Sequence, residues 1–174
     1  MSNEAPQRGR GSADAANEAP QRRPGSADAS NEAPQRRRSS ADASQHERNE
    51  RLLRDGVEAF NQGDYATLVA MFDPGIECHV ASGLGNPGTW FGIDGFERMT
   101  GAWGEAFASQ QSSVVSLNFP DEHHVIAEIH QRAVGAGSGV PVEMTNYYLL
   151  EIRDERAVRF HIHPDRESAL AAVR

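Results

Sequence analysis

Between residues 113 and 163 four β-like segments follow one another, at about 113–119, 123–134, 141–153 and 156–163. Only short turns separate them, such as Gly135 to Gly139 and Asp154-Glu155. A parallel crossover needs roughly a dozen connecting residues, whereas an antiparallel hairpin closes with about two. The spacing therefore predicts a mostly antiparallel sheet, and this narrows the fold class more than any other feature of the chain.

Helical patterns precede that sheet. Leu53, Val57 and Phe60 recur at i, i+4 and i+7 between charges, predicting an amphipathic helix of about 14 residues that stops at Gly63. Asp64 is placed to cap a short helix with Leu68, Val69 and Phe72 on its buried side, ended by Asp73-Pro74-Gly75. Ile76 to Ala81 alternates, predicting a strand with Ile76, Cys78 and Val80 on one face and Glu77 and His79 on the other. A glycine-rich loop, Gly83 to Gly92, follows as the expected mouth of a pocket. Asp94 and Glu97 then form a capping-box-like start for a third helix, with Phe96, Met99, Trp103 and Phe107 on one face. A last short helix covers about 166–173. The order ααβα, four strands and a helix predicts an α+β fold whose antiparallel sheet curls around a cavity.

The first 44 residues differ from the rest. Residues 2–43 are three copies of a 14-residue unit: SNEAPQRGRGSADA, ANEAPQRRPGSADA and SNEAPQRRRSSADA. No Val, Ile, Leu, Phe, Tyr or Trp occurs before residue 45, so nothing offsets the entropy of ordering this stretch. It is expected to be a disordered tail (1–44), either a tolerated duplication or a tether with Arg-Arg-x-Ser modification sites near Ser26 or Ser39. Residues 45–174 are expected to form one domain.

Charge and composition remove several functions. The chain carries 25 acidic and 17 basic residues, net −8, and all the basic residues are arginine. An acidic globule is a poor partner for nucleic acid, whose affinity comes from neutralised phosphates. Without lysine, lysine Schiff-base chemistry is excluded. A single cysteine, Cys78, permits no internal disulfide and no multi-cysteine zinc site. No apolar run of about 18 residues could cross a membrane, and no signal-peptide pattern opens the chain, so a cytoplasmic location is expected.

Several stretches are familiar in series. Phe60-Asn61-Gln62-Gly63-Asp64, then Met71-Phe72-Asp73-Pro74-Gly75-Ile76, then Trp90-Phe91-Gly92-Ile93-Asp94-Gly95 resemble the SnoaL-like branch of the nuclear transport factor 2-like superfamily. Gly137-Ser138-Gly139-Val140, Ile152 to Phe160, and Asp165 to Leu170 are similar to that family's closing strands and helix. Glu155 stands where relatives usually turn on glycine. The resemblance covers about residues 46–174. It implies a cone-shaped domain around a deep, mostly apolar pocket, often dimeric through the outer face of the sheet. It also implies a range of chemistries, from ketosteroid isomerases, polyketide cyclases and dehydratases to members that only bind. Carried over by eye, the isomerase's aspartate base falls on His79, its helix tyrosine on Gly56 and its second aspartate on Tyr148, or on Tyr147 after a one-residue slip. None of these positions keeps the isomerase residue.

The candidate site residues follow from these patterns. His79 could act as a base if its face lines the pocket, or could sit hydrogen-bonded at the rim or exposed. Asn146 and Tyr148 share a face with Val142, Met144, Leu150 and Ile152, so they either orient a ligand or bond within the core. Glu128 and His130 alternate with Ala127, Ile129 and Gln131, and a one-residue register shift decides which set points inward. His161 and His163 share a face opposite Val158, Phe160 and Ile162. They could complete a three-histidine metal site, but that face reads as outward and no metal is expected. Trp90, Trp103, Phe107, Met144 and Phe160 are expected to contact ligand, or to be ordinary core. Cys78 reads as an inert buried thiol. The expected function is binding of a small apolar molecule, with no cofactor. If chemistry follows, it is isomerisation, cyclisation or dehydration with His79 as base and Tyr148 or Asn146 as donor. The alternative is a non-catalytic binding domain or a homodimeric interaction domain.

Overall fold

The computed structural model describes residues 29–174, with side chains from residue 41 onward. Residues 1–28 of the expected tail lie outside the described part. Helix α1 (Ala29–Gln62) and helix α2 (Tyr65–Ala70) lead into strand β1 (Phe72–Val80). Strand β2 (Gly88–Phe91) and helix α3 (Gly92–Ala106) follow, then β3 (Phe107–Asn118), β4 (His124–Gly135), β5 (Pro141–Arg153), β6 (Arg156–His163) and α4 (Arg166–Ala171). The six strands form one curved, unclosed sheet in the order β2-β1-β6-β5-β4-β3. Every pairing is antiparallel except β1 with β6, which the whole β2-to-β5 stretch connects.

Helix α1 is far longer than its apolar pattern predicts and runs unbroken through residues 44 and 45. The third repeat carries three Ala and three Arg, both good helix formers, and extending an existing helix adds a hydrogen bond for nearly every residue. Contact with the turn between β3 and β4 is made from His46, whose ring stacks on Phe119 at 4.7 Å, and from Asn49, which donates to the Glu122 carbonyl at 3.0 Å. The helix ends where the sequence places its end. Gly63 adopts a φ of 71°, a left-handed turn that costs glycine little, and Asp64 caps α2 by accepting from the Thr67 N–H.

Helix α3 starts three residues earlier than expected, so the capping box does not form. Gly92 (φ 69°) turns the chain directly out of β2, leaving Asp94 inside the first turn, where its charge suits the helix dipole. The helix also stops at Ala106. Phe107 is already extended and opens β3, because the Gln- and Ser-rich residues after it pair with β4 from Gly135 onward. The glycine-rich loop contributes the unexpected β2, whose Trp90 pairs with Cys78.

Strand parity sorts the sheet into two faces. Ile76, Cys78 and Val80, then Val125, Ala127 and Ile129, then Tyr148, Leu150 and Ile152 point to the concave side with Ile162 and form the core with Leu53, Phe96 and Met99. Helices α1, α2 and α3 cover that side. On the convex side α4 covers a smaller cluster of Ile126, Leu149 and Ala169. The β5–β6 hairpin turns on Asp154 (φ 47°) and Glu155 (φ 62°), a two-residue turn of the kind that needs positive φ at both positions. Asn61 closes part of the free edge of β3. Its side-chain amide donates to the Ser112 carbonyl and accepts from the Ser112 N–H, both at 2.8 Å, as a neighbouring strand would.

Candidate functional site

The helices do not fill the concave face. Between them and the sheet remains a cavity of about 60 Å³, room for roughly four waters. Helix α1 supplies Leu52, Leu53, Gly56, Val57 and Phe60 to its wall, and the α2 segment adds Leu68 and Met71. Helix α3 adds Phe96, Thr100 and Trp103, while the strands contribute Phe72, Ser112, Tyr148, Leu150 and Phe160. The aromatic members brace one another. Tyr148 meets Phe160 edge-on at 5.1 Å, and Phe72 meets Phe96 edge-on at 4.8 Å.

Three side chains make the wall polar: Thr100, Ser112 and Tyr148. Thr100 spends its proton on the Phe96 carbonyl at 3.0 Å. The other two belong to a buried network. Asn146 Nδ2 donates to Gln131 Oε1 at 2.6 Å, and Gln131 Nε2 donates to Tyr148 Oη at 3.0 Å and to Ser112 Oγ at 3.3 Å. Gln131 is 1% exposed, and Ser112, Asn146 and Tyr148 are buried too. Burial pushes the Tyr148 phenol well above its ordinary pKa, against a smaller opposing effect of the Ser112 hydroxyl, so it stays protonated.

The expected residues divide between two faces. Trp103, Tyr148 and Phe160 line the hollow, and Asn146 stands one hydrogen bond behind it. Met144 is on the concave side but not in the wall, Trp90 packs on the core from the β2 edge, and Phe107 is carried off into β3. The glycine-rich loop does not line the cavity either.

His79 lies on the other side of the sheet. Val80 sits beside Ile162 and Tyr148 across β1, β6 and β5, whereas His79 sits beside His161 and Leu149. Adjacent register positions face opposite ways, so His79 and Tyr148 are separated by the sheet itself. His79 Nδ1 bonds Thr89 Oγ1 at 2.9 Å, with its ring 5.2 Å from that of His161 and 6.3 Å from that of His163. His161 Nε2 bonds Glu77 Oε1 at 2.9 Å. Burial drives the His161 pKa down to about 4 despite Glu77, and burial lowers that of His163 as well. No group of three or more His, Cys, Asp or Glu among the described residues is arranged to hold a metal ion. Cys78 is wholly buried and burial pushes its thiol up to about 12. Glu128 and His130 point to the convex side.

Gln131 is the residue the sequence reading passed over. Its signal was present, because it keeps parity with Ala127, Ile129 and Ala133, the apolar residues of β4. The rule that placed Asn146 and Tyr148 inside would have placed Gln131 beside them.

A curved six-stranded sheet whose concave face, covered by helices, holds an apolar hollow defines the nuclear transport factor 2-like class of fold. Within it the chain belongs to the SnoaL-like domain family, whose model matches residues 53–160. No curated protein matches the chain. Among solved structures, an NTF2-like protein from Burkholderia pseudomallei K96243 is 18% identical, with 71% of this chain covering 95% of that one at a TM-score of 0.62. TerC, co-crystallised with polyporic acid, is 15% identical over 71% of this chain and 95% of its own, also at 0.62. A candidate SnoaL-like polyketide cyclase from Jannaschia sp. CCS1 is 17% identical over 75% and 92%, at 0.57. At these identities the likeness is one of fold. No described helix is long and apolar enough to cross a membrane.

Proposed function

We propose that the domain binds one small, largely apolar molecule in the concave hollow and holds it without proton transfer by the hollow's own side chains. The observation that carries this reading is the make-up of the wall. Tyr148 is its only titratable residue, and burial keeps that phenol neutral throughout the physiological range. A general base needs a pKa near the working pH and hydrogen-bond reach of its substrate. His79, the base expected from the strand pattern, meets neither the hollow nor Tyr148. The co-crystallisation of TerC, a protein of the same fold, with polyporic acid supports a small-molecule-binding reading.

The test is calorimetric titration with benzene, the smallest aromatic hydrocarbon, together with emission from Trp103. Binding should be saturable, should shift the Trp103 emission, and should stay flat between pH 5 and 8 (~ the range in which histidine titrates). His79→Ala should leave affinity within about twofold, since the ring it removes is behind the sheet. Loss of binding in that variant, or affinity that follows a group titrating near neutral pH, would overturn the reading.

A further inference from the structure

Outside the hollow lies a second space, a groove of about 410 Å³ between α2 and α3. Tyr65, Ala66 and Val69 form its α2 side, and Thr100, Gly101 and Gly104 form its α3 side. Thr100 borders both spaces, and Leu68, next to Val69 on α2, stands in the wall of the hollow. The partition between groove and hollow is therefore α2 itself, with Leu68 and Thr100.

Helix α2 is weakly held. Six residues are too few for a helix to persist on its own hydrogen bonds. Leu68 is its only buried residue, and Tyr65 is 48% exposed. The Asp64 cap bonds Thr67 of the same turn rather than another element. Gly63 (φ 71°) joins α2 to α1, with no atom within 4 Å of where a β-carbon would stand. Burial of one leucine side chain holds α2 closed by at most about a hundredfold, so an open state is within thermal reach.

Across the groove, Gly101 and Gly104 lie inside α3, where glycine costs helix stability and neither has a positive φ that would require it. A β-carbon at either position would meet nothing within 4 Å, so no close approach requires them. Their effect is to leave the groove empty, with more room than a leucine side chain needs.

We propose that Leu68 and α2 form the gate of the hollow, and that the groove kept clear by Gly101 and Gly104 is the space into which they swing when a ligand enters or leaves. This rests on the binding function proposed above and adds its route of access. Such a gate governs the rates of exchange and leaves the affinity to the hollow.

Exchange of benzene on the full chain, followed by NMR exchange spectroscopy, tests the gate. Gly101→Leu fills the groove and adds nothing to the wall of the hollow. It should lower the association and dissociation rate constants together, each at least about tenfold, with Kd held within about twofold. Gly101→Ala raises the helix propensity of α3 by a similar amount but leaves most of the groove open, and should change neither rate by more than about twofold. Where Gly101→Leu fails to fold by circular dichroism, Gly104→Leu, on the same side of the groove, takes its place. Rates unchanged by the leucine, or slowed equally by alanine and leucine, overturn the gate and leave the binding function standing. Failure of the wild type to bind benzene removes the binding function, and the gate with it.

Discussion

Gly56 sits within the last two turns of α1, in the cavity wall, and its replacement by alanine couples stability to the shape of the hollow. A β-carbon built there lies 3.6 Å from Leu68 Cδ1 and 3.7 Å from Met71 Sδ, ordinary contact distances, and the backbone is plainly helical. Glycine in a helix interior costs about 0.8–1.0 kcal/mol relative to alanine. The added methyl, half-buried against Leu68 and Met71, contributes up to about 0.8 kcal/mol more. Gly56→Ala should therefore stabilise the domain by roughly 1–2 kcal/mol. With about 2.1 cal/mol/K of unfolding entropy per residue over some 130 residues, that is a rise in Tm of roughly 4–7 °C. Urea unfolding followed by circular dichroism measures the change, with an unaltered slope as the sign that the folded and unfolded states are otherwise the same. Gly56→Leu would put a side chain into the hollow and should weaken benzene binding at least about tenfold while the fold persists. A loss of stability above about 0.5 kcal/mol in Gly56→Ala would refute the reasoning, because the methyl would then be meeting atoms that the structure places out of its way.

Two further outcomes test the convex face. His161 has its pKa depressed from 6.5 to about 4, mainly by burial. The unfolded chain thus binds more protons between those values, and stability present above about pH 6.5 is lost as pH falls toward 4. Discounted for solvent screening the loss is roughly 1–2 kcal/mol, and His161→Gln should flatten that part of the stability profile; an unchanged slope would place the acid sensitivity elsewhere. The convex face beyond α4 carries partly buried His79 and Tyr147, and we expect it to pair with a second copy of the chain. Light scattering should then report a dimer mass that persists on dilution, and a monomer mass across the concentration series would remove this expectation.

Much of the fold was legible because local rules decide it. Gly63 as a helix stop, Asp64 as a cap, and the four closing strands with their short turns each follow from side-chain chemistry within a few residues. The misplacements occur where a partner far along the chain decides. Phe107 fits a helical face, but Gly135 pairs with it as a strand. Strand β2 has no pattern of its own and exists because β1 offers it an edge. The extension of α1 upstream of its apolar stripe carries no periodic signal to read, and its tertiary contacts come from His46 and Asn49, polar residues that such a signal passes over.

The order of residues by itself determined which side chains share a face on each strand, and so already tied His79 to Glu77 and Gln131 to Ile129. A strand has two faces of equal standing, however, and nothing within it says which one the helices will cover. That choice was made when α1, α2 and α3 buried their apolar sides against Cys78, Ile129 and Tyr148. The same packing sent His79 to the far side of the sheet and enclosed Gln131, because apolar surface from distant parts of the chain leaves water together and carries its alternate neighbours to one side or the other.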